Sequence, residues 1–155
     1  MASLRILSHP SPTPDMVEAL RQYASVPDHG RDKLLEEMLT TAVLRVQEYA
    51  DCALIPCVCE QTSAIGDDRM IRLYLGGGEV QSVTGSNGQS ISFEPYGKKK
   101  VLLYTGTGEA TIVFRTLPSM GDVSRCKATV LRYATALYDG ETTDVLNTIL
   151  NEVLC

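Results

Sequence analysis

Histidine is scarce in this sequence, and long apolar runs are absent. The 155 residues include only two histidines, His9 and His29. No apolar run approaches the roughly 20 residues that cross a bilayer, so we expect no membrane-spanning segment and no membrane partner. The apolar patch at the N-terminus is shorter than a signal-peptide core and runs into Pro10, Pro12 and Pro14, so we expect no secretion signal.

The five cysteines show neither a disulfide pattern nor a metal-binding pattern. Without an export signal, an odd number of cysteines is not expected to form a disulfide framework. Cys52, Cys57 and Cys59 could supply three metal ligands, but no nearby histidine and no Cys-x-x-Cys pair completes a tetrahedral site. We therefore predict reduced thiols, no metal site and no cofactor.

Recognisable catalytic motifs are also missing. The sequence has no Gly-x-Ser-x-Gly, no His-Glu-x-x-His and no cysteine close to a histidine partner. The adjacent carboxylates Glu36-Glu37 and Asp67-Asp68 diverge in either a helix or a strand, so they are interpreted as solvated surface. The sequence predicts that the chain is not an enzyme and has no catalytic residues.

The charge balance is acidic, with one dense basic run. A net charge of −5 lacks the basic surface expected of a sequence-specific DNA-binding protein. Lys98, Lys99 and Lys100 are a candidate basic contact for phosphates or for an acidic partner. The alternative is a solvated hairpin end whose lysines discourage edge-to-edge aggregation.

Apolar spacing predicts two helices in the first third of the chain. Thr13 as N-cap and Pro14 in the first turn predict a helix that continues to about residue 25. A long amphipathic helix is predicted over residues 31–53, where apolar residues recur at helical spacing. Its wide apolar stripe must be covered by the rest of the domain or by a neighbouring subunit.

The middle of the chain has β-type composition with glycine-rich turns. We predict hairpins here, with a turn at Pro95-Tyr96-Gly97. The predicted strands include residues 70–75, 90–93, 101–105 and 110–115.

Helices are predicted again near the C-terminus. One spans about 120–138, and another begins after a cap at Thr142 or Thr143. The last helix either completes the core or lies in a groove of another protein chain. Its apolar residues are the candidate subunit or portal interface: Val145, Leu146, Ile149, Leu150, Val153 and Leu154.

These elements predict an α+β, mainly helical fold with an N-terminal helix pair, a central β-hairpin region and C-terminal helices. We expect one domain over residues 1–155, with helices in 13–53, hairpins in 55–116 and helices in 118–154.

Three segments, considered together with this order of elements, carry a family resemblance. They are residues 43–54 (VLRVQEYADCAL), residues 71–84 (IRLYLGGGEVQSVT), and Leu117-Pro118 followed by residues 127–138 (KATVLRYATALY). They resemble, in turn, the end of the long helix, the hairpin with its V-x-S-V strand, and the proline and closing helix of the head-to-tail connector family of tailed bacteriophages. Two departures are Gly76-Gly77-Gly78 for the family's proline-rich turn and Asp139-Gly140 for its usual Asn-Arg.

The resemblance implies a structural virion protein that forms an adaptor ring between the portal and the tail and extends the DNA channel. The implied partners are the portal protein, a downstream neck or tail protein, and further copies of this chain in a ring expected to be twelve-fold. Double-stranded DNA would pass through without sequence-specific binding. The implied location is the virion neck, with the host cytoplasm during assembly.

Two other functions stay open at this point. One is another neck component, such as a stopper or a tail-completion protein. The other is a cytoplasmic protein-interaction module that uses its amphipathic helices to bind one partner.

Overall fold

The computed structural model describes residues 3–152, which form two compact units. Unit 1 comprises Met1–Pro10 and Ile55–Pro118, and unit 2 comprises Ser11–Leu54 and Ser119–Cys155. The fold is α+β, as predicted. With 37% helix and 27% strand, the expectation of a mainly helical chain is not clearly supported. The single-domain boundary over residues 1–155 stays a prediction.

Unit 1 contains two antiparallel sheets. The four-stranded sheet has the order β1-β2-β7-β4, and the three-stranded sheet has the order β3-β6-β5. The strands are β1 (Ser3–Ser8), β2 (Val58–Ala64), β3 (Met70–Arg72), β4 (Gly78–Gly85), β5 (Phe93–Tyr96), β6 (Lys100–Leu103) and β7 (Glu109–Thr116).

Strand β7 lies inside the larger sheet and pairs with β2 on one side and β4 on the other. Because side chains alternate between the two faces of a strand, every second residue of β7 is buried. Phe114 and Ile112 are fully buried, and they lie opposite the buried Cys59 and Gln61 of β2. The core of unit 1 therefore depends on a pairing between segments about fifty residues apart in the sequence.

Gln61 links the two sheets through its buried amide. Its Nε2 donates to Arg72 O at 2.8 Å and to Ser63 Oγ at 2.9 Å, while its Oε1 accepts from Tyr74 N at 2.9 Å. A buried amide is tolerated in a core when both of its ends are hydrogen-bonded, as they are here.

Glycine is required where β4 begins. A Cβ added at Gly77 would lie 1.8 Å from Lys98 O, and one added at Gly78 would lie 1.9 Å from Arg115 O. Gly77 also has a φ of +75°, which side chains rarely adopt. The glycine run thus allows the β5–β6 connection to approach the start of β4.

Several sequence predictions for unit 1 differ from the structure. The strand predicted at residues 90–93 lies at Phe93–Tyr96 instead, and the strand predicted at residues 70–75 ends at Arg72. Strand β1 was not predicted, because it is a short edge strand that is mostly exposed and pairs with a segment far along the chain. Pro95 and Tyr96 lie in β5 rather than in a turn, and the turn begins at Gly97. Proline is tolerated in β5 because this strand is at a sheet edge, where its missing N–H breaks no ladder.

Unit 2 has four helices among its described residues: α1 (Pro14–Tyr23), α2 (Asp32–Ala50), α3 (Met120–Tyr138) and α4 (Thr143–Leu150). Helix α2 packs on α3, α1 contacts both, and α4 packs on α3. The apolar stripe of α2 is buried along Leu35, Leu39, Ala42, Val43 and Val46, as the helical spacing predicted.

The predicted helix starts are confirmed. Thr13 accepts a hydrogen bond from Met16 N, with Pro14 in the first turn of α1. Thr142, the first of the two predicted caps, accepts from Val145 N. Helix α2 ends earlier than predicted, at Ala50, because Asp51 turns into the left-handed region with a φ of +51°.

We predict that Thr116→Val destabilises the protein by about 1–3 kcal/mol, because it removes the hydroxyl's hydrogen bonds to one buried and one half-buried backbone group. Thr116 Oγ1 accepts from Cys57 N at 2.8 Å and donates to Ile55 O at 2.9 Å. Urea unfolding followed by circular dichroism measures the change.

Thr111→Val, on the same strand, is the matched control, because its half-buried hydroxyl makes only a 3.4 Å contact with Thr62. Equal stability losses in the two variants would contradict a special role for the Thr116 hydroxyl.

Candidate interaction surfaces

The predicted basic contact lies at the tip of the β5–β6 hairpin of unit 1. We call residues 97–100 the lysine turn: Gly97, Lys98, Lys99 and Lys100. Gly97 has a φ of +67°, and all three lysines are exposed. The exposure that the sequence predicted is confirmed, whereas a role in contacting a partner stays a prediction.

The backbone of the lysine turn is held in place. Lys98 O accepts from Gly78 N at 2.8 Å, and Lys99 O accepts from Leu73 N at 2.8 Å. Lys98 Nζ donates to Leu117 O at 3.1 Å. The turn is therefore a fixed platform for its exposed ammonium groups.

The carboxylate of Glu94, on the neighbouring strand β5, is used elsewhere and is not paired with the turn in the described residues. Glu94, on β5, instead accepts a hydrogen bond from the Tyr104 hydroxyl, which raises the pKa of that phenol, with burial adding to the effect. Within residues 3–152, Lys99 and Lys100 form no ion pair, so their charge is available to another molecule.

The predicted interface on the last helix is partly buried within unit 2. Leu150 and Ile149 are 2% and 7% exposed, and Leu146 is half-buried. Val145 is 39% exposed. Val153 and Leu154 lie outside the described residues. Ile149 and Leu150 thus lie in the core of unit 2. Among the four candidate residues that the structure describes, Val145 is the exposed one. A role of this helix in an interface stays a prediction.

A groove on unit 2, which we call the carboxylate groove, lies along α1 and the first turns of α2. Its volume is about 520 Å³. It contains four carboxylates, from Asp15, Glu18, Asp32 and Glu36, against one guanidinium, from Arg21. Its lining is Pro12, Pro14, Asp15, Val17, Glu18, Arg21, His29, Asp32 and Glu36.

Arg21 organises one end of this groove. Its side chain is 11% exposed, its Nε donates to Asp32 Oδ1 at 3.2 Å, and it also forms an ion pair with Glu18. The other Asp32 oxygen lies 3.0 Å from His29 Nδ1. Burial lowers the pKa of Arg21, but hydrogen bonds to Asp32 and Glu18 more than offset it, so that its pKa is raised.

The two remaining carboxylates of the groove lack such partners. Within residues 3–152, the side chains of Asp15 and Glu36 make no hydrogen bond or ion pair, and Asp15 is exposed. Glu36 is half-buried in the groove while Glu37 is exposed, so the prediction of solvated surface fits Glu37 better. The groove was not predicted, because its members come from two helices and a proline-rich segment.

The described part of the chain offers no catalytic cluster. Cys52, Cys57, Cys59 and Cys126 are buried and form no disulfide within residues 3–152. Burial, with a smaller effect of Cys57, raises the pKa of Cys59 to about 12, so that this thiol stays protonated and unreactive at neutral pH. In residues 3–152, no group of three histidines, cysteines or carboxylates could hold a metal ion.

A second, smaller cavity in unit 1 has a volume of about 320 Å³ and is lined in part by Gln61 and Ser63. The Gln61 amide is fully used in joining the two sheets. This cavity therefore presents no converging reactive groups.

None of the helices in the described residues is long and apolar enough to span a bilayer.

Comparison with solved structures identifies a shared fold. A chain from the neck of an empty gene transfer agent particle, computed with C6 symmetry, matches with a TM-score of 0.63 at 14% identity, covering 96% of this chain and 93% of that chain. A chain from the virion of a native gene transfer agent particle matches with a TM-score of 0.62 at 14% identity, covering 97% of this chain and 94% of that chain. No protein-family model and no curated protein matches the sequence.

The fold is thus one found in chains of phage-like particles, one of them in the particle's neck. Membership in the connector family stays a prediction at this level of identity.

We predict that Asp32→Asn destabilises the protein at pH 7 and that the difference from wild type shrinks in acid. The hydrogen bond with His29 lowers the pKa of Asp32; burial opposes this, and Arg21 adds to the lowering. The pKa of Asp32 in the folded protein lies below the ordinary value of 3.8. The stability that the ionised carboxylate contributes is therefore fully present above pH 3.8, and it is lost as the pH falls through the pKa of the folded protein. Urea unfolding at pH 7, 4 and 3 measures it.

Glu37→Gln is the control for this pH series, because Glu37 is exposed and its side chain has no ion-pair partner in the described residues. If the free energies of unfolding of wild type and Asp32→Asn differ by the same amount from pH 7 to pH 3, the stabilising role assigned to the ionised Asp32 carboxylate is contradicted.

Proposed function

We propose that this chain is a structural, non-enzymatic subunit of the neck of a phage-like particle. In this proposal it forms an adaptor ring between the portal and the tail and extends the DNA channel. The observation that carries the proposal is the fold shared over almost the whole length of both chains with a component of a gene transfer agent neck. The resemblance of three sequence segments to the connector family supports the same role.

The proposed ring is homo-oligomeric. A closed ring of identical subunits needs two different complementary surfaces on each subunit, because each contact is heterologous. Unit 1 offers the exposed lysine turn, and unit 2 offers the carboxylate groove and Val145. A twelve-fold ring, as the family resemblance implies, contains six-fold symmetry and so is compatible with the C6 symmetry used for the related neck.

The proposed channel is one that DNA traverses without being held. The chain has a net charge of −5, so a ring of many copies is a strongly acidic body. Like charges repel the DNA backbone, and an acidic wall would let a polyanion slide.

The proposed portal contact involves the start of the last helix. Among its candidate residues, Val145 is exposed, whereas Ile149 and Leu150 are occupied in the core of unit 2. Docking at Val145 requires no unfolding of the helix. We keep the whole chain, residues 1–155, as one adaptor domain in this proposal.

A neck component at another level, such as a stopper or a tail-completion protein, is the second candidate. The same structural similarity supports it, because stoppers and tail-completion proteins are also components of a neck. The two candidates differ in their neighbour, because only an adaptor binds the portal directly.

Electron microscopy of the portal from the same genome, with and without this protein, tests the adaptor role. We expect an added ring of density beneath the portal, with symmetry matching that of the portal. A portal that is unchanged by a large excess of the protein contradicts the adaptor role and favours the second candidate.

We predict that Val145→Asp weakens portal binding by about tenfold or more, because a buried interface would then contain an unpaired charge. The thermal unfolding midpoint should barely change, since an acidic residue in the first turn suits the helix dipole. Binding is measured by sedimentation with purified portal.

Val123→Asp is the matched control, because Val123 is also 39% exposed and lies near the start of a helix. Equal weakening by both variants would show that the effect is not specific to the last helix.

A further inference from the structure

We propose that the carboxylate groove of one subunit binds the lysine turn of the neighbouring copy and so forms the head-to-tail contact of the ring. This inference rests on the proposed function, which supplies the ring but does not specify its contact. Both halves of the contact are present on every copy of the chain, one on unit 1 and the other on unit 2.

Charge complementarity favours this pair of surfaces. Arg21 already forms ion pairs with Glu18 and Asp32, and the carboxylates of Asp15 and Glu36 have no partner within residues 3–152. The lysine turn offers ammonium groups at Lys99 and Lys100 that also have no ion-pair partner there. Two carboxylates without partners on one surface and two ammonium groups without partners on the other are complementary, and complementary charge favours one partner and fixes its register.

The shape and lining of the groove suit a hairpin tip. Its volume of about 520 Å³ is within the range of sites that hold a small ligand, and it is open at the surface. Pro12, Pro14 and Val17 supply apolar lining on which the methylene stems of lysine side chains can lie while their ammonium groups reach the carboxylates.

Preorganisation lowers the entropic cost of this contact. The lysine turn is fixed by backbone hydrogen bonds from Gly78 and Leu73, and Arg21 holds Glu18 and Asp32 in place. Less conformational freedom is lost when both partners are already ordered. A nucleic acid is a poor occupant of this groove, because its phosphates would face the carboxylates.

The test is a charge swap between the two surfaces. One variant has Lys99→Glu with Lys100→Glu, and the other has Asp15→Lys with Glu36→Lys, which leaves the ion pairs of Arg21 intact. Each variant alone should assemble about tenfold or more weakly than wild type, since like charges then face each other. Mass photometry and sedimentation velocity, with the protein alone and with the portal, measure assembly.

Recovery of assembly is the decisive observation. An equimolar mixture of the two variants should form rings, because each acidic turn then meets a basic groove and each basic turn meets an acidic groove. A single chain that contains all four substitutions should also assemble. Assembly of the wild type should weaken at about 1 M salt, where the Debye length falls to roughly 3 Å.

The controls change equal charge at exposed positions outside both surfaces. They are Lys33→Glu with Lys127→Glu, and Glu37→Lys with Glu141→Lys. Circular dichroism and thermal unfolding confirm that every variant folds. These control variants should assemble as the wild type does.

Two failures are distinguishable. If the wild type and the control variants form rings and the swapped variants form them equally well, the groove-to-turn contact is overturned and the proposed function stands. If the wild type stays monomeric both alone and with the portal, the proposed ring itself is overturned, and this contact with it. Loss of assembly in the swapped variants without recovery in the mixture also overturns the pairing.

Discussion

The pairing of β7 with both β2 and β4 is the constraint on which unit 1 depends. It brings Phe114 and Ile112 into the core and places Thr116 opposite Gly78. Gly78 in turn donates its N–H to Lys98 O, so the position of the lysine turn follows from the central strand. Only glycines at residues 77 and 78 allow the backbones to come this close. A candidate contact surface is therefore attached rigidly to the interior of the sheet.

In unit 2, apolar packing stabilises the interior, whereas the ion pairs lie at its edge. Packing along α2 and α3 supplies the core, whereas Arg21 brings together carboxylates from two helices at the edge of that core. A nearly buried guanidinium is stable there because its charge is paired and hydrogen-bonded. Within residues 3–152, the side chains of the remaining groove carboxylates, Asp15 and Glu36, form no ion pair, so this surface keeps net negative charge.

The polar groups buried in the described core have structural roles. Polar side chains in the described core, such as Gln61 and Thr116, are used in joining strands and loops. The buried thiol of Cys59 is protonated at neutral pH because burial raises its pKa to about 12. Complementary charge is instead found on exposed turns and open grooves, where another chain can reach it.

The sequence by itself determined the helices, the N-caps of α1 and α4, and the α+β class of the fold. These features are local: Thr13 and Thr142 cap residues three positions away, and apolar residues at helical spacing make one face of α2. It also identified Lys98, Lys99 and Lys100 as exposed, because a dense run of lysines cannot be buried without partners. The glycine-rich composition of residues 55–116 predicted hairpins, but not which strands pair.

Only the tertiary structure decided the rest. Strand β1 depends on pairing with β2, so no local sequence pattern predicted it. In the carboxylate groove, Arg21 of α1 pairs with Asp32 of α2 as well as with Glu18 of its own helix, and such convergence depends on how the helices pack. The sequence could not decide what the apolar face of α4 packs against, because such a face can cover the core of its own chain or bind a partner. Packing resolved this for Ile149 and Leu150, which lie in the core of their own unit, and left Val145 exposed.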